Sequence, residues 1–287
     1  MKLEVKPCGE NDTELIWEKA FEQAPTEENA EQETLVFKAI DDNGAFIGGC
    51  VLGIDQTKAA EFERLWVAER YRARGVGSAL IRTAEQAARE RGCRTVLNAY
   101  CFDFQKAKPL FERLGYRLIG VAKDWPKGHE GYTLIKTLKD IPRESVSAEL
   151  FGQAGFAVVP GSDRDGASIA SELEAYNRAF APRSHEYFDT DKKIVNEKGE
   201  IVAGCIAGVS GWDTLHIDAF WADEDDGGNG AGEYLLCETE REAKQMGAYL
   251  SRAEGTERQA AFFKKHGYTV CVVFEDEPKW FVMYKRL

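Results

Sequence analysis

The chain repeats itself at a distance too long for any small repeat. IGGCVLG (47–53) aligns with VAGCIAG (202–208), RLWVAER (64–70) with AFWADED (219–225), and RGVGSAL (74–80) with NGAGEYL (229–235); each second string begins 155 residues after its partner. Further on, FERLGY (111–116) aligns with FKKHGY (263–268) at a distance of 152, so the second copy lacks three residues in between. A period of this length marks a duplicated domain, not a stack of small units. At 287 residues the chain has room for two cores of ordinary size. The join is expected near TLKDIPRESVSAE (137–149), where an apolar run gives way to charge, Pro142 and serines. Domains at 1–140 and 141–287 follow.

Charge then limits the partners. With 37 Lys+Arg against 49 Asp+Glu, the formal net charge is −12, which repels nucleic acid and anionic membrane, so an anionic ligand must be held by local chemistry. Seven scattered cysteines without a CxxC pair or a Cys/His cluster argue against a zinc site or disulfide framework and fit a reducing cytoplasm. MKLEVKPCGENDTELIW has no signal-like apolar stretch, and no 18-residue apolar run occurs. The expectation is a cytoplasmic protein with no nucleic-acid, membrane or metal partner.

Each copy carries the same order of elements. In the first, helical spacing places Leu15, Ile16, Ala20 and Phe21 on one face of a helix at 13–24. Runs at 34–40 and 45–53 flank DDNG, a hairpin signal, and EFERLWVA (61–68) forms a third strand. A helix at 77–91 ends at Gly92, followed by a strand at 94–100, a helix at about 105–114, and strands near 116–122 and 131–138. Strands on both sides of two helices predict an α/β (α+β type) domain with a mixed, mostly antiparallel twisted sheet flanked by helices, present twice.

RYRARGVGSAL (70–80) joins the third strand to the long helix. Glycines there let backbone N–H groups converge on one spot that the helix dipole also favours for an anion. Arg72 and Arg74 add charge. A plain strand-to-helix turn with surface arginines has the same pattern, but the GK[ST] of a P-loop and the GxGxxG of a dinucleotide fold are both missing.

Arg72-Ala73-Arg74-Gly75-Val76-Gly77 resembles the R-x-x-G-x-G motif of the GNAT superfamily of acetyl-CoA-dependent N-acetyltransferases. LWVAERYRARGVGSALIRTAEQAARERGC with the later LFERLGY and DWPKGHEGYTLIKTL extends the resemblance over residues 1–138, and the second copy resembles the same branch. The resemblance implies that Arg72, Ala73, Arg74, Gly75, Val76, Gly77 and Ser78 hold the pyrophosphate of acetyl-CoA. It implies also that Leu65, Trp66 and Val67 line its pantetheine arm, at a strand that splays from the next around Leu97–Tyr100.

Acetylating an amine requires a neutral nitrogen, so a carboxylate is the expected base. Glu63 and then Glu61 are the candidates: two apart on one strand, they are expected to face the side of Leu65 and Val67. The family's usual tyrosine acid is matched by Phe111, and by Phe263 in the second copy, which leaves Tyr100, Cys101 or Tyr132 to take that role or the thiolate to leave unaided. His129, in PKGHEGY, is a loop residue, and Trp66 and Trp125 are core or pocket-wall residues.

In the second copy Gly227, Gly228 and Asn229 replace Arg72, Ala73 and Arg74, and Asp223, Glu224, Asp225 and Asp226 crowd the entrance. His216 and Asp218 stand where Glu61 and Glu63 do. One acetyl-CoA per chain is therefore expected, with the second domain kept as a partner domain, in a monomer of pseudo-dimeric halves or a homodimer. The function expected is acetyl transfer to a primary amine of a small molecule, an antibiotic or other cationic amine. A non-catalytic acyl-CoA-binding regulatory module and a protein N-terminal or lysine acetyltransferase are the alternatives.

Overall fold

The computed structural model describes residues 4–21, 33–55, 57–138, 155–223, 230–274 and 279–287, and almost all of the expected join at 137–149 lies outside them. In chain order the first elements are β1 (Glu4–Pro7), α1 (Glu10–Phe21), β2 (Glu33–Asp41), β3 (Phe46–Ile54), β4 (Ala59–Val67), α2 (Val76–Glu90), β5 (Thr95–Phe102), α3 (Lys108–Arg113), β6 (Arg117–Lys123) and β7 (Glu130–Thr137). The second series is β8 (Phe156–Pro160), α4 (Asp163–Phe180), β9 (Phe188–Asp189), β10 (Lys192–Val195), β11 (Ile201–Ser210), β12 (Thr214–Ala222), α5 (Ala231–Gln245), β13 (Leu250–Thr256), α6 (Glu257–Lys265), β14 (Thr269–Phe274) and β15 (Trp280–Arg286).

Two mixed sheets result. One runs β6-β7-β5-β4-β3-β2-β8, the other β1-β10-β11-β12-β13-β15-β14 with β9 beside β11. Pairing is parallel at β4–β5 and β12–β13 and antiparallel at the other described pairs. This is the expected fold class.

The compact units are not the halves 1–140 and 141–287. One unit is Glu27–Pro182; the other joins Met1–Thr26 to Arg183–Leu287. The difference lies in the first strand and helix of each copy. Strand β8 closes the edge of the first sheet by pairing with β2, from Phe37 opposite Pro160 to Asp41 opposite Phe156. In the same way β1 pairs with β10, from Glu4 opposite Val195 to Pro7 opposite Lys192. An alternating strand encodes which of its faces is apolar, not which sheet edge it joins, so the repeat could not show this exchange.

Two glycines 155 residues apart receive the exchanged helices. A Cβ on Gly49 would lie 2.7 Å from Ile169 Cγ1 on α4, and one on Gly204 would lie 2.5 Å from Ile16 Cδ1 on α1. Both isoleucines are completely buried, each worth roughly 1.5–3 kcal/mol of transfer free energy. Helix α4 is also capped: Ser162 Oγ accepts from Asp165 N, while Asp165 accepts from Ser162 N and Oγ–H and pairs with Lys38 Nζ on β2 at 3.0 Å. On the other side of the first sheet, α2 sends Val76, Leu80, Ile81 and Ala84 into a core with Cys50, Leu52, Phe62 and Phe111. No helix of the described residues is long and apolar enough to cross a membrane.

Candidate active site

The loop after β4 makes one short 3₁₀ turn, Glu69–Tyr71, before the glycines. Arg72 N donates back to Glu69 O at 3.1 Å, which takes that amide out of the expected cradle. Ala73 has φ 59° and Gly75 φ 88°; the second is left-handed backbone that glycine adopts without a Cβ penalty. The first α-helical bond here runs from Ala79 N to Gly75 O at 2.9 Å, so the N–H groups of Val76, Gly77 and Ser78 have no carbonyl one turn back. Those donors and the positive end of a 15-residue helix form a site for an anion. Gly77 permits close packing beneath, since a Cβ there would meet Leu110 Cδ2 at 3.1 Å.

Beside the loop, the sheet opens. Strands β4 and β5 pair at Ala59–Thr95, Ala60–Val96 and Glu61–Leu97. Beyond Glu61 the register ends, and the segments Phe62–Val67 and Asn98–Tyr100 line a cavity of about 880 Å³ with the glycine loop. An opening of this kind leaves backbone groups of β4 available to an added extended chain.

A β-bulge separates the two carboxylates. Against β3, Arg64 lies opposite Val51 and Phe62 opposite Leu52, which makes Glu63 the extra residue. A bulge shifts the side-chain alternation of its strand. Before it, Phe62 joins the core beneath α2; after it, Leu65 and Val67 do. Glu61 lies opposite Gly53, on the face where Gly49 and Val51 meet α4. The expectation that Glu61 and Glu63 both share the face of Leu65 and Val67 is thereby corrected. Glu63 lines the cavity and Glu61 is not among its lining residues. Glu63 Oε2 is 3.3 Å from Arg64 Nη1.

Of the other expected ligand contacts, Leu65, Trp66, Val67, Arg72, Ala73, Gly75, Gly77 and Ser78 line the cavity, while Arg74 and Val76 do not. The Arg74 guanidinium lies 5.7 Å from the Tyr71 ring centroid, and the Val76 side chain is buried in the core. Arg72 is turned to a different task. Its Nε donates to Val67 O at 2.9 Å and its guanidinium lies over the Tyr176 ring at 4.7 Å. Tyr176, with Leu173 and Phe180, brings α4 into the cavity wall. These three, with Asn98 and Gln105, are residues that the sequence reading missed. The matched glycines at 49 and 204 were the available signal that a helix sits close over each sheet.

The proton donors separate by environment. Phe111 is completely buried, edge-on to Phe62 and Tyr116. Tyr100 lines the cavity and is 43% exposed. Burial pushes the Cys101 thiol up to about 12, leaving almost no thiolate for nucleophilic attack at neutral pH. Tyr132 is raised to about 12 by burial and by the hydrogen bond it donates to Glu130 Oε2 at 3.0 Å, and it lies outside the cavity lining. His129 is a structural link: its Nδ1 is 2.9 Å from Asp103 Oδ1 and its ring meets Phe104 edge-on. Trp125 is buried against Phe102, whereas Trp66 is a wall residue.

The second unit has the same frame with different contents. Gly230 caps α5 with φ 81°, as Gly75 caps α2. The replaced loop residues Gly227, Gly228 and Asn229, with Glu224, Asp225 and Asp226, lie outside the described residues. Asp218 is the bulge residue of β12, since Ile206 lies opposite Ala219 and Ala207 opposite Ile217. His216 is pushed down to about 3 by burial and by the charge of Arg252, so it stays neutral. Pairing of β12 with β13 ends at Ile217–Ala253, but side chains occupy the space beyond. Gln259 Nε2 donates to Phe220 O at 3.2 Å and to Ala20 O at 3.3 Å, and Phe262 stacks on Phe220 with centroids 5.1 Å apart. At the 152-residue offset these positions are Ala107 and Leu110 in the first copy, and both of those line the cavity.

With strand, bulge, glycine cap and helix in place twice, the comparison with known proteins is direct. The acetyltransferase (GNAT) family model matches residues 6–116 and again 163–268, and the chain belongs to this family, whose members are acetyltransferases that use acetyl-CoA. It is similar to a blasticidin-S acetyltransferase of Streptomyces morookaense, 35% identical over 121 residues that make up 42% of this chain and 87% of that one. Among solved structures it is similar to an acetyltransferase from Bacillus cereus ATCC 14579, with 32% identity, a TM-score of 0.40, and coverage of 44% of this chain and 94% of the other. Another is an aminoglycoside 6'-N-acetyltransferase complexed with coenzyme A, with 17% identity, a TM-score of 0.34, and coverage of 50% and 99%. The free N–H groups at the start of α2 and the open strand edge fit acetyl-CoA at the first copy's loop.

Proposed function

We propose that the unit 27–182 transfers an acetyl group from acetyl-CoA to a primary amine of a small molecule, a cationic antibiotic being the leading class. The observation that carries this reading is the single cavity in which the α2 amides, the open edge of β4, Glu63 and Tyr100 meet. Acetyl-CoA supplies an acetyl thioester, whose C–S bond breaks as the C–N bond to the acceptor forms. Val76, Gly77 and Ser78 hold the pyrophosphate by their amides, and the backbone of Leu65–Val67 aligns the pantetheine arm. Glu63 takes one proton from the ammonium, directly or through a water, so that the neutral amine attacks; the second nitrogen proton passes to solvent as the amide forms, and Tyr100 gives a proton to the departing sulfur. Arg72 positions the loop by tying Val67 to α4, and positioning of the two reactants supplies much of the rate.

The antibiotic class is supported by the similarity to a blasticidin-S acetyltransferase. The division between one working unit and one filled unit supports a stoichiometry of one acetyl-CoA per chain. The test is CoA release across a panel of amine antibiotics. Glu63→Gln is expected to lower kcat by about 10²–10⁴, with Glu61→Gln within twofold of the parent because Glu61 sits where β4 is still paired with β5 and is outside the cavity lining. Full turnover in Glu63→Gln refutes the base assignment. An absence of CoA release with every amine, at saturating acetyl-CoA, refutes the transferase reading of this cavity.

A further inference from the structure

We propose that the acceptor subsite of this cavity is built for a primary amine carried on a flat, unsaturated ring, and that α4, which by sequence belongs to the second copy, supplies its principal wall. The proposal rests on the transferase reading above and adds the chemical class of the acceptor.

Aromatic rings join two walls of the cavity in one packed series. Phe180 stacks on Phe104 with centroids 5.6 Å apart and planes 6° from parallel, and Phe104 stacks on Phe102 at 5.4 Å and 12°. Phe102 meets Trp125 edge-on at 5.3 Å, and Trp125 contacts Tyr100 at 5.9 Å. The interior members of this series are buried, while its two ends, Phe180 and Tyr100, are 47% and 43% exposed, and both ends line the cavity. Phe180 is stacked on Phe104 and tilted against Tyr176 at 5.0 Å, and still leaves nearly half of its surface exposed to the cavity. Large aromatic surfaces left uncovered in a pocket mark where a ligand buries them.

The series is fixed to α4 by hydrogen bonds as well as by stacking. Tyr176 Oη–H donates to Phe104 O at 3.0 Å, Gln105 Nε2 donates to Asn177 Oδ1 at 3.1 Å, and Phe102 N donates to Gln105 Oε1 at 2.9 Å. The wall therefore needs little reordering on binding, which favours affinity. It already carries a planar cation, because the Arg72 guanidinium lies over Tyr176. Glu63 stands in the same cavity to receive an ammonium proton. A saturated, hydroxyl-rich amine would leave the exposed ring faces poorly matched and would ask this wall for hydrogen-bond partners that phenylalanines lack.

The test compares benzylamine with cyclohexylmethanamine, primary amines of equal carbon count that differ in ring flatness. Dissociation constants are measured by ligand-observed NMR on the full chain saturated with CoA, so that turnover is not required. Wild type is expected to prefer benzylamine by about tenfold. Phe180→Leu, which keeps apolar bulk without a π face, is expected to bring the ratio near one and to leave acetyl-CoA affinity within twofold, and Phe180→Tyr to restore it. Equal affinity for the two amines in wild type, or a ratio unchanged in a folded Phe180→Leu protein, overturns the proposal. Turnover of the saturated amine without preference would leave the transferase reading standing and this inference lost. If no amine releases CoA, that reading falls, and the binding ratio still decides what the wall recognises.

Discussion

Removing the Ile16 side chain and filling the space from the opposite side tests the exchange of N-terminal segments directly. Gly204 is the cleaner of the two glycines, because the three atoms nearest a Cβ there all belong to Ile16, with Cδ1 at 2.5 Å and Cγ2 at 2.9 Å, whereas Gly49 also faces Phe37 O at 2.8 Å. Ile16→Ala deletes a completely buried side chain and is expected to cost about 2–5 kcal/mol. Gly204→Ala alone forces a methyl group into that side chain, an overpacking cost of about 1–3 kcal/mol. In the Ile16→Ala background the same methyl enters the vacated space and recovers roughly 0.8 kcal/mol, the value of one buried carbon. The double-mutant cycle should therefore show a coupling of about 2–4 kcal/mol, set against additivity within about 0.5 kcal/mol for independent sites. Urea unfolding of the full chain, followed by tryptophan fluorescence, measures it. The control is Gly204→Ala with Ile169→Ala, whose side chains meet different glycines. Additivity in the first cycle together with coupling in the control would mean that each copy keeps its own first helix, and would refute the exchange.

Other consequences can be checked separately. Ala107→Gln with Leu110→Phe copies into the first unit the side chains that occupy the second, and calorimetry should then find acetyl-CoA binding reduced from one site per chain to none. Cys101→Ala should keep kcat within twofold, and Cys101 of the parent, read by peptide mapping, should resist alkylation at pH 7 while the exposed Cys237 reacts, because burial holds the Cys101 thiol near 12. Asp165 titrates near 2 in the folded chain against 3.8 ordinarily, lowered by hydrogen bonds from Ser162 and then by Lys38. Its contribution is complete above the unfolded value and is lost as pH falls from about 4 through about 2. Amide exchange in β8 and α4 should therefore quicken over that range, and Asp165→Asn should flatten the dependence.

Much of the fold was legible because periodicity reports directly on local structure. The glycine loop was legible for the same kind of reason: Gly75 and Gly230 sit at φ 88° and 81°, a backbone state that the spacing of the motif already signals. What sequence pattern conceals is anything set by a neighbouring strand. The Glu63 bulge exists only relative to β3, since the partners of the adjacent Val51 and Leu52 are Arg64 and Phe62, with Glu63 left over between them. Assigned to faces by strict alternation, EFERLWV puts Glu61 on the face of Leu65 and Val67, which is the wrong one. The exchanged strands escape for a related reason, as β1 and β8 are both short edge strands and either sheet edge satisfies their hydrogen bonds equally well.

The contrast between the copies then shifts attention away from the loop that looks most specific. Both helices start from the same left-handed glycine cap, so the cap geometry alone does not distinguish the two copies. The difference lies at positions 107 and 110 against 259 and 262, in the stretch between the parted strands and the helix beside them. Alanine and leucine there leave the edge of β4 open in the first copy; glutamine and phenylalanine close on Phe220 in the second. The Gln259 amide on the Phe220 carbonyl and the Phe262 ring on the Phe220 ring stand where an incoming extended chain would have to lie. A mutation toward bulk at these two positions therefore removes the ligand's place on the strand while leaving the fold and the cap intact. The second unit keeps its fold while holding α1, as the first keeps α4 against its cavity.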